Sequence, residues 1–392
     1  MSASLLDPTF LALLTVVALG RRLVPTRSFA VFGALASALL VSLASPITLL
    51  IIGGITVLYL YPLHLLNNRL RDRPNGDRLR RGAVVVGATG LVVMMIVFKV
   101  YQQFSLPLTA TDDIGRGLRS LVGFSYFLFR ALNFLYIQYL VEIRLSTPWC
   151  LIFYTLFPPT LTSGPIQKYL DFAKQVESAA LPKEGDYGQA VYRITRGYFR
   201  KLVVAYLLNE AVSVLLDTSD PGLGRSVGIT VCLYLYFYYD FAGYSDIAIG
   251  LGHLLGIRVP ENFRRPHFAS TLTEFWRHWH ITLVDWLRDH VFIPLGGMHA
   301  GRQRSAALAL LIMLLCGLWH GLTPFFVLWG LWHGLHLYLE AWLGLKPTPV
   351  TRRSGVRYWS KVAWTNARVA LGALLFLPST TSLLLVLRGF IP

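Results

Sequence analysis

The chain has 392 residues, 54% of them hydrophobic and only 14% charged. Soluble domains average about 25% charged residues, so this composition excludes an ordinary soluble globular protein, and bilayer-length apolar runs recur from end to end. The net charge of +16 does not indicate nucleic acid as a partner, because most basic residues fall in short loops between apolar runs, as the positive-inside bias predicts.

The first apolar run, Leu5–Gly20, is followed by Arg21, Arg22 and Arg27. A cleaved signal peptide carries its positive charge before the apolar region; the reversed order predicts a retained first span with its N-terminus outside. Runs at Phe29–Leu43 and Ile47–Leu66 meet at Ser45-Pro46, and a basic loop with Arg69, Arg71, Arg73, Arg78, Arg80 and Arg81 follows. Two spans separate it from Arg21 and Arg22, which places both loops on one face, the cytoplasmic one.

A fourth span, Ala83–Val100, leads to an expected outer loop near Thr109–Arg116. A fifth, Leu121–Val141, carries Arg130, a charge that must face the protein interior or a wet cavity. The stretch Trp149–Leu161 is short and contains Pro158-Pro159 before Ser163-Gly164-Pro165, which reads as a re-entrant hairpin buried in protein. That reading keeps the following basic stretch (Lys168, Lys174, Lys183, Arg193, Arg196, Arg200, Lys201) cytoplasmic.

Leu202–Leu216 then crosses outward to a loop with Asp217 and Asp220, and the aromatic run Val227–Leu255 returns. It holds Asp240 and Asp246, too far apart on a helix to act as a carboxylate pair, with Gly243 between them as an expected bend or break. Arg258–Arg304 is the least hydrophobic long region, and its Trp- and Arg-rich pieces predict short amphipathic segments at the interface. Two apolar runs, Ala306–Leu318 and Phe325–Leu343, flank Gly317-Leu318-Trp319-His320-Gly321; a basic loop from Lys346 to Lys361 and final runs at Val362–Leu377 and Leu383–Ile391 complete the chain.

The expected architecture is therefore all-α: one polytopic membrane helical bundle over residues 1–392, with about ten or eleven membrane elements including re-entrant segments. Cys150, Cys232 and Cys316 are scattered and odd in number, which suits packing and not a disulfide framework. Histidine inside lipid is unusual and marks function or a polar pathway, so His320 stands out. The bland alternative is a buried histidine bonded to a backbone carbonyl. His333 and His336 share one helical face and read as packing or cavity-lining groups. The histidines lack the ligand spacing of a zinc site, so no metal is expected.

Several motifs occur together and in order. They are Asp240-Phe241-Ala242-Gly243-Tyr244-Ser245-Asp246, Pro260-Glu261-Asn262-Phe263, Phe275-Trp276-Arg277-His278-Trp279-His280-Ile281-Thr282-Leu283 and Ile293-Pro294-Leu295-Gly296-Gly297. Gly317-Leu318-Trp319-His320-Gly321 and Leu328-Trp329-Gly330-Leu331-Trp332-His333-Gly334 complete the set. Spanning roughly Phe157 to Leu343, the set resembles the membrane-bound O-acyltransferase family, in its bacterial branch of D-alanyl-transfer and alginate O-acetylation proteins. Phe157-Pro158-Pro159 with Ser163-Gly164-Pro165-Ile166, and the short C-terminal end, are similar to the D-alanyl members; Ile293-Pro294-Leu295-Gly296-Gly297 is closer to the acetylation members. His278 and His290 depart from the Arg and Tyr expected in many relatives.

The resemblance implies a membrane-bound O-acyltransferase in which the histidine matching His320 is catalytic and the one matching His280 is the second functional histidine. Such chemistry needs a base that removes a hydroxyl proton during attack on a thioester, a role suited to imidazole. It also implies no tightly bound cofactor, and an acyl thioester donor on a phosphopantetheine carrier protein or on coenzyme A. The partners expected are membrane lipid, an acyl carrier protein on the cytoplasmic side and an extracytoplasmic polymer or acceptor protein. D-alanyl transfer is favoured, with O-acetylation of exopolysaccharide or peptidoglycan as the alternative, at the bacterial cytoplasmic (inner) membrane. A transporter or flippase is the rival class; it predicts internal repeat symmetry, which the sequence does not display.

Overall fold

The computed structural model describes residues 8–104, 121, 123–143, 145, 147–217, 222–297, 301–349, 351 and 353–391. The expected outer loop near Thr109–Arg116 and Asp220 lie outside them. The described residues are mostly helical, and their β-pairing is an isolated bridge between Phe263 and Trp279. The chain divides into two compact units, Met1–Thr195 with Ser245–Pro260, and Arg196–Tyr244 with Glu261–Pro392.

In the first unit, α1 (Pro8–Gly20) and α2 (Phe29–Ala44) precede α3 (Pro46–Arg71), α4 (Gly76–Phe104), α5 (Phe124–Leu140), α6 (Trp149–Leu156) and α7 (Tyr169–Ser178). Ser45 stops α2 and starts α3: its hydroxyl accepts from the Thr48 N–H, and Pro46 occupies the first helical position, where a missing N–H costs nothing. Among the described residues four helices, Thr26–Ala44, Pro46–Arg71, Gly76–Gln103 and Arg302–His320, are long and apolar enough to cross a bilayer. α4 shows what such a span looks like from outside, with Val86 69%, Ile96 52% and Val97 61% exposed. Apolar side chains turned outward suit lipid as the surrounding solvent.

α6 has eight residues, about 12 Å at 1.5 Å per residue, far short of the roughly 30 Å hydrocarbon core. The reason it stops is local. Pro158 and Pro159 have no N–H to give the carbonyls of Tyr154 and Thr155, four residues earlier. The guanidinium of Arg130, 1% exposed in α5, supplies them: Nη1 donates to Tyr154 O at 2.9 Å and Thr155 O at 3.4 Å, while Nη2 donates to the carbonyl and hydroxyl of Thr160. The intramembrane charge thus faces the protein interior, as expected, and its task is to satisfy a broken backbone. Edge-to-face rings of Phe29, Phe153, Phe157 and Phe172 pack around the same break.

Two loop arginines read as surface charge are in fact interior groups. Arg21, 2% exposed, lies over the Phe29 ring and donates to the carbonyls of Val24 and Ala179. Arg80, 7% exposed, donates to Asn67 Oδ1 and to the carbonyls of Gln138 and Tyr139. Charge counting could not find this, because it depends on which carbonyls the fold leaves open.

α8 (Glu184–Tyr198) runs through a π-helical stretch, Phe199–Ala205, into α9 (Tyr206–Asp217). α10 (Leu223–Leu254) is one continuous helix of 32 residues. The expected bend at Gly243 is absent: a single glycine costs a helix only about 1 kcal/mol. Its missing side chain serves close packing instead, since a Cβ there would sit 2.8 Å from Gly197 O and 2.9 Å from Lys201 N. Beside this contact Asp240 pairs with Lys201, and within the first unit Asp246 pairs with Arg193 at 2.6 Å. The two aspartates thus have separate partners and form no carboxylate pair.

The remainder of the second unit comprises α11 (Leu272–His278), α12 (Ile281–Leu287), α13 (Arg302–His320), α14 (Pro324–Trp342), α15 (Gly355–Ala373) and α16 (Thr380–Arg388). α15 begins inside the basic stretch read as a loop, seven residues ahead of Val362. α13 and α14 form a hairpin seated on glycines. A Cβ at Gly330 would lie 2.6 Å from Met313 O, one at Gly334 2.5 Å from Leu310 Cδ1, and one at Gly317 would overlap Phe326 O. Small residues permit this backbone approach between membrane helices.

Candidate active site

His280 falls between α11 and α12, where the chain must turn within two residues. Trp279 is extended, and His280 adopts φ 47° and ψ 48°, a left-handed conformation. For a residue with a side chain this costs about 1–2 kcal/mol, so neighbouring bonds must hold it. They come from Asn262, which is completely buried. Its carbonyl accepts from Ile281 N at 3.0 Å, and its Oδ1 accepts from Thr282 N at 3.3 Å and Thr282 Oγ1 at 2.7 Å. On the other side of the turn Arg264 N donates to His278 O at 3.0 Å. The strand-like pairing of Phe263 with Trp279 therefore clamps His280 from both flanks. Its imidazole is 5% exposed, with the Phe241 ring edge-on at 4.6 Å.

His320 is the last residue of α13, and the tight α13–α14 hairpin fixes where it ends. Its half-buried ring is surrounded by Trp329 and Phe376, each at 5.2 Å, and by Phe326 at 5.9 Å. Gly321 follows because a side chain there would meet the Phe326 ring at 2.6 Å. The indole of Trp319 joins the two histidines, 4.7 Å from His320 and 6.4 Å from His280 between ring centres. Motifs some 40 to 80 residues apart in the sequence thus converge on one aromatic cluster holding two imidazoles.

A family model for membrane-bound O-acyltransferases matches residues 142–380, more than half of the chain and all the residues of this cluster. The chain belongs to the membrane-bound O-acyltransferase family. A probable alginate O-acetylase of Pseudomonas fluorescens is 33% identical over 263 residues, covering 65% of this chain and 50% of the relative. A teichoic acid D-alanyltransferase of Bacillus subtilis is 28% identical over 279 residues, 66% of this chain and 67% of the relative. A peptidoglycan O-acetyltransferase of Helicobacter pylori is 31% identical over 180 residues, 44% and 33% of the two chains. The chain spans about half the length of the alginate O-acetylase it matches.

The other histidines of this family member are placed differently. His278, His290 and His336 each donate Nδ1–H to the carbonyl four residues earlier, on Glu274, Trp286 and Trp332, at 2.7–2.9 Å. A carbonyl can only accept, so the proton sits on Nδ1. His64, fully buried in α3, contacts Gln138, Asn68 and the Leu145 N–H. It is a packing histidine, held by two side-chain amides and one backbone N–H. His333 is buried against Trp276 and Trp329, and its Nδ1 has no partner among the described residues.

Three residues around the cluster escaped the sequence reading. Asn262 was visible only as part of a motif. Glu340 and Arg368, an ion pair at 2.9 Å with both side chains nearly inaccessible, lie in apolar stretches. An acid inside the run Phe325–Leu343 was the available signal, since charge at membrane depth needs a partner.

Proposed function

We propose that the chain is a multi-pass O-acyltransferase that moves an activated acyl group from a thioester donor at the cytoplasmic face to a hydroxyl of an extracytoplasmic cell-envelope polymer. His320 acts as the base. The hydroxyl oxygen attacks the thioester carbonyl as His320 takes its proton; the C–S bond breaks, and the thiolate leaving group receives a proton to leave as a free thiol. A positioned base contributes about 10²–10⁴-fold to such a step. His280, joined to His320 through Trp319, orients or stabilises the reacting groups. The observation that carries this reading is the aromatic enclosure of His320 at the end of α13, beside a second buried imidazole held in a strained backbone conformation. Strain that the surroundings maintain is characteristic of functional sites.

The donor is a phosphopantetheine carrier protein or coenzyme A, and neither needs a resident cofactor in the enzyme. Arg22, Arg69, Arg73, Arg78 and Arg81 are exposed and supply the positive potential that attracts an acidic carrier; Arg21 and Arg80 are interior and do not contribute. Two acyl groups remain in view, each favoured by one observation. Acetyl is favoured by the higher identity to alginate O-acetylases, 33% against 28%. D-alanyl is favoured by the D-alanyltransferase match, which extends over more of the relative, 67% against 50%.

The test is mass analysis of ester groups released from envelopes of bacteria with and without the gene. Loss of one ester class on deletion, restored by the intact chain, supports the reading, and its mass names the acyl group. An unchanged ester profile sinks it.

A further inference from the structure

Glu340 on α14 is 3% exposed, and all four of its acceptor positions are used. Oε1 accepts from Leu272 N at 2.8 Å and from Arg368 Nη2 at 2.9 Å; Oε2 accepts from Thr273 N at 2.9 Å and Thr273 Oγ1 at 3.0 Å. Two of the donors are the first backbone N–H groups of α11, which have no partner within their own helix. The next two N–H groups, of Glu274 and Phe275, go to the hydroxyl and carbonyl of Thr271. The start of α11 is therefore fully satisfied, and half of the satisfaction comes from another helix. Arg368 ties the same carboxylate to α15, and its carbonyl accepts from Trp332 Nε1 on α14 at 2.9 Å.

We infer that Glu340 is a positioning residue for His280. α11 is seven residues long, about 10 Å, and His280 lies two residues beyond its end. Glu340 anchors one end of this short lever to α14, the helix whose Gly330 and Gly334 seat α13 and so fix His320. One carboxylate thereby holds both histidine-bearing segments in a common frame. The functional consequence rests on the proposed acyl transfer; the positional claim does not.

A mere counter-ion for Arg368 would behave differently. Replacing both members of a buried ion pair by apolar groups is often neutral, so Glu340→Leu combined with Arg368→Met would then leave His280 where it is. If Glu340 positions α11, the double variant still lacks the acceptor for Leu272 and Thr273, and the His280 segment loosens. The experiment is labelling of the purified full chain in detergent with diethyl pyrocarbonate, followed by peptide mass analysis at each histidine. The double variant is expected to label His280 at least about fivefold faster, the change in open population that a small loss of local stability produces, with His320 within about twofold of wild type. Wild-type labelling of His280 in the double variant overturns the inference. Should that variant not fold, Glu340→Gln with Arg368→Met decides in the same way: raised His280 labelling supports the role and an unchanged rate rejects it.

Envelope esters measured on the same strains separate the two readings. Faster labelling with ester content down about 100-fold, the scale set by a misplacement of about 1 Å, supports both. Faster labelling with normal esters supports the position of Glu340 and rejects the role proposed for His280.

Discussion

Asn262→Leu tests whether the clamp around His280 matters. The substitution keeps approximate volume in a fully buried site but removes the Oδ1 that accepts from Thr282 N and Thr282 Oγ1. Taking an acceptor from a buried donor costs about 1–3 kcal/mol per group. The hydroxyl can rotate while the N–H cannot, so the total is about 2–4 kcal/mol. Thr282→Val removes only the hydroxyl bond and is expected to cost about 1 kcal/mol. Stability is read from SDS-titration unfolding in mixed micelles, and function from envelope ester content at matched membrane levels. Because the left-handed backbone at His280 is itself disfavoured by about 1–2 kcal/mol, loss of the clamp allows the turn to relax and the imidazole to move. Ester content is expected to fall about 100-fold for Asn262→Leu, the scale for a displacement near 1 Å, and by much less for Thr282→Val. If Asn262→Leu unfolds like wild type and keeps its esters, the clamp argument is wrong.

Two further substitutions probe the frame. Arg130→Met takes the donor from the carbonyls that Pro158 and Pro159 leave open, and is expected to cost about 3–5 kcal/mol in the same unfolding assay. Arg130→Lys does not restore it, because an ammonium lacks the planar fork that reaches several carbonyls at once. Gly330→Ala places a methyl 2.6 Å from Met313 O and 2.9 Å from Leu314 Cα; backbone cannot swing aside, so about 1–3 kcal/mol of overpacking is expected, with ester content reduced through displacement of His320. An alanine at exposed Gly185, which meets nothing within 4 Å, is the control and should behave as wild type.

Much of the helical framework was legible in the sequence because its signals are local. Apolar runs, two of them meeting at Ser45-Pro46, located α2, α3, α13 and α14 to within a few residues, and Pro158-Pro159 located the broken segment. What escaped depends on tertiary partners. Gly243 looks like a helix breaker until the backbone at Gly197 is seen pressed against it. Arg21 and Arg80 look like cytoplasmic charge until the carbonyls they satisfy are known. His320 was singled out by its cost at membrane depth and by motif, and His280 by motif; that Trp319 reaches both rings, and that Asn262 bonds the two residues after His280, could be read only once the segments were folded together.

His320 is proposed as the base for acyl transfer, and everything said of the reaction depends on that role. It is tested most directly by mass analysis of envelope esters in cells carrying wild type or His320→Ala at matched membrane insertion. The expected result is loss of the one ester class that depends on the gene, with the variant as stable as wild type. Persistence of that ester in a stably inserted His320→Ala protein would contradict it.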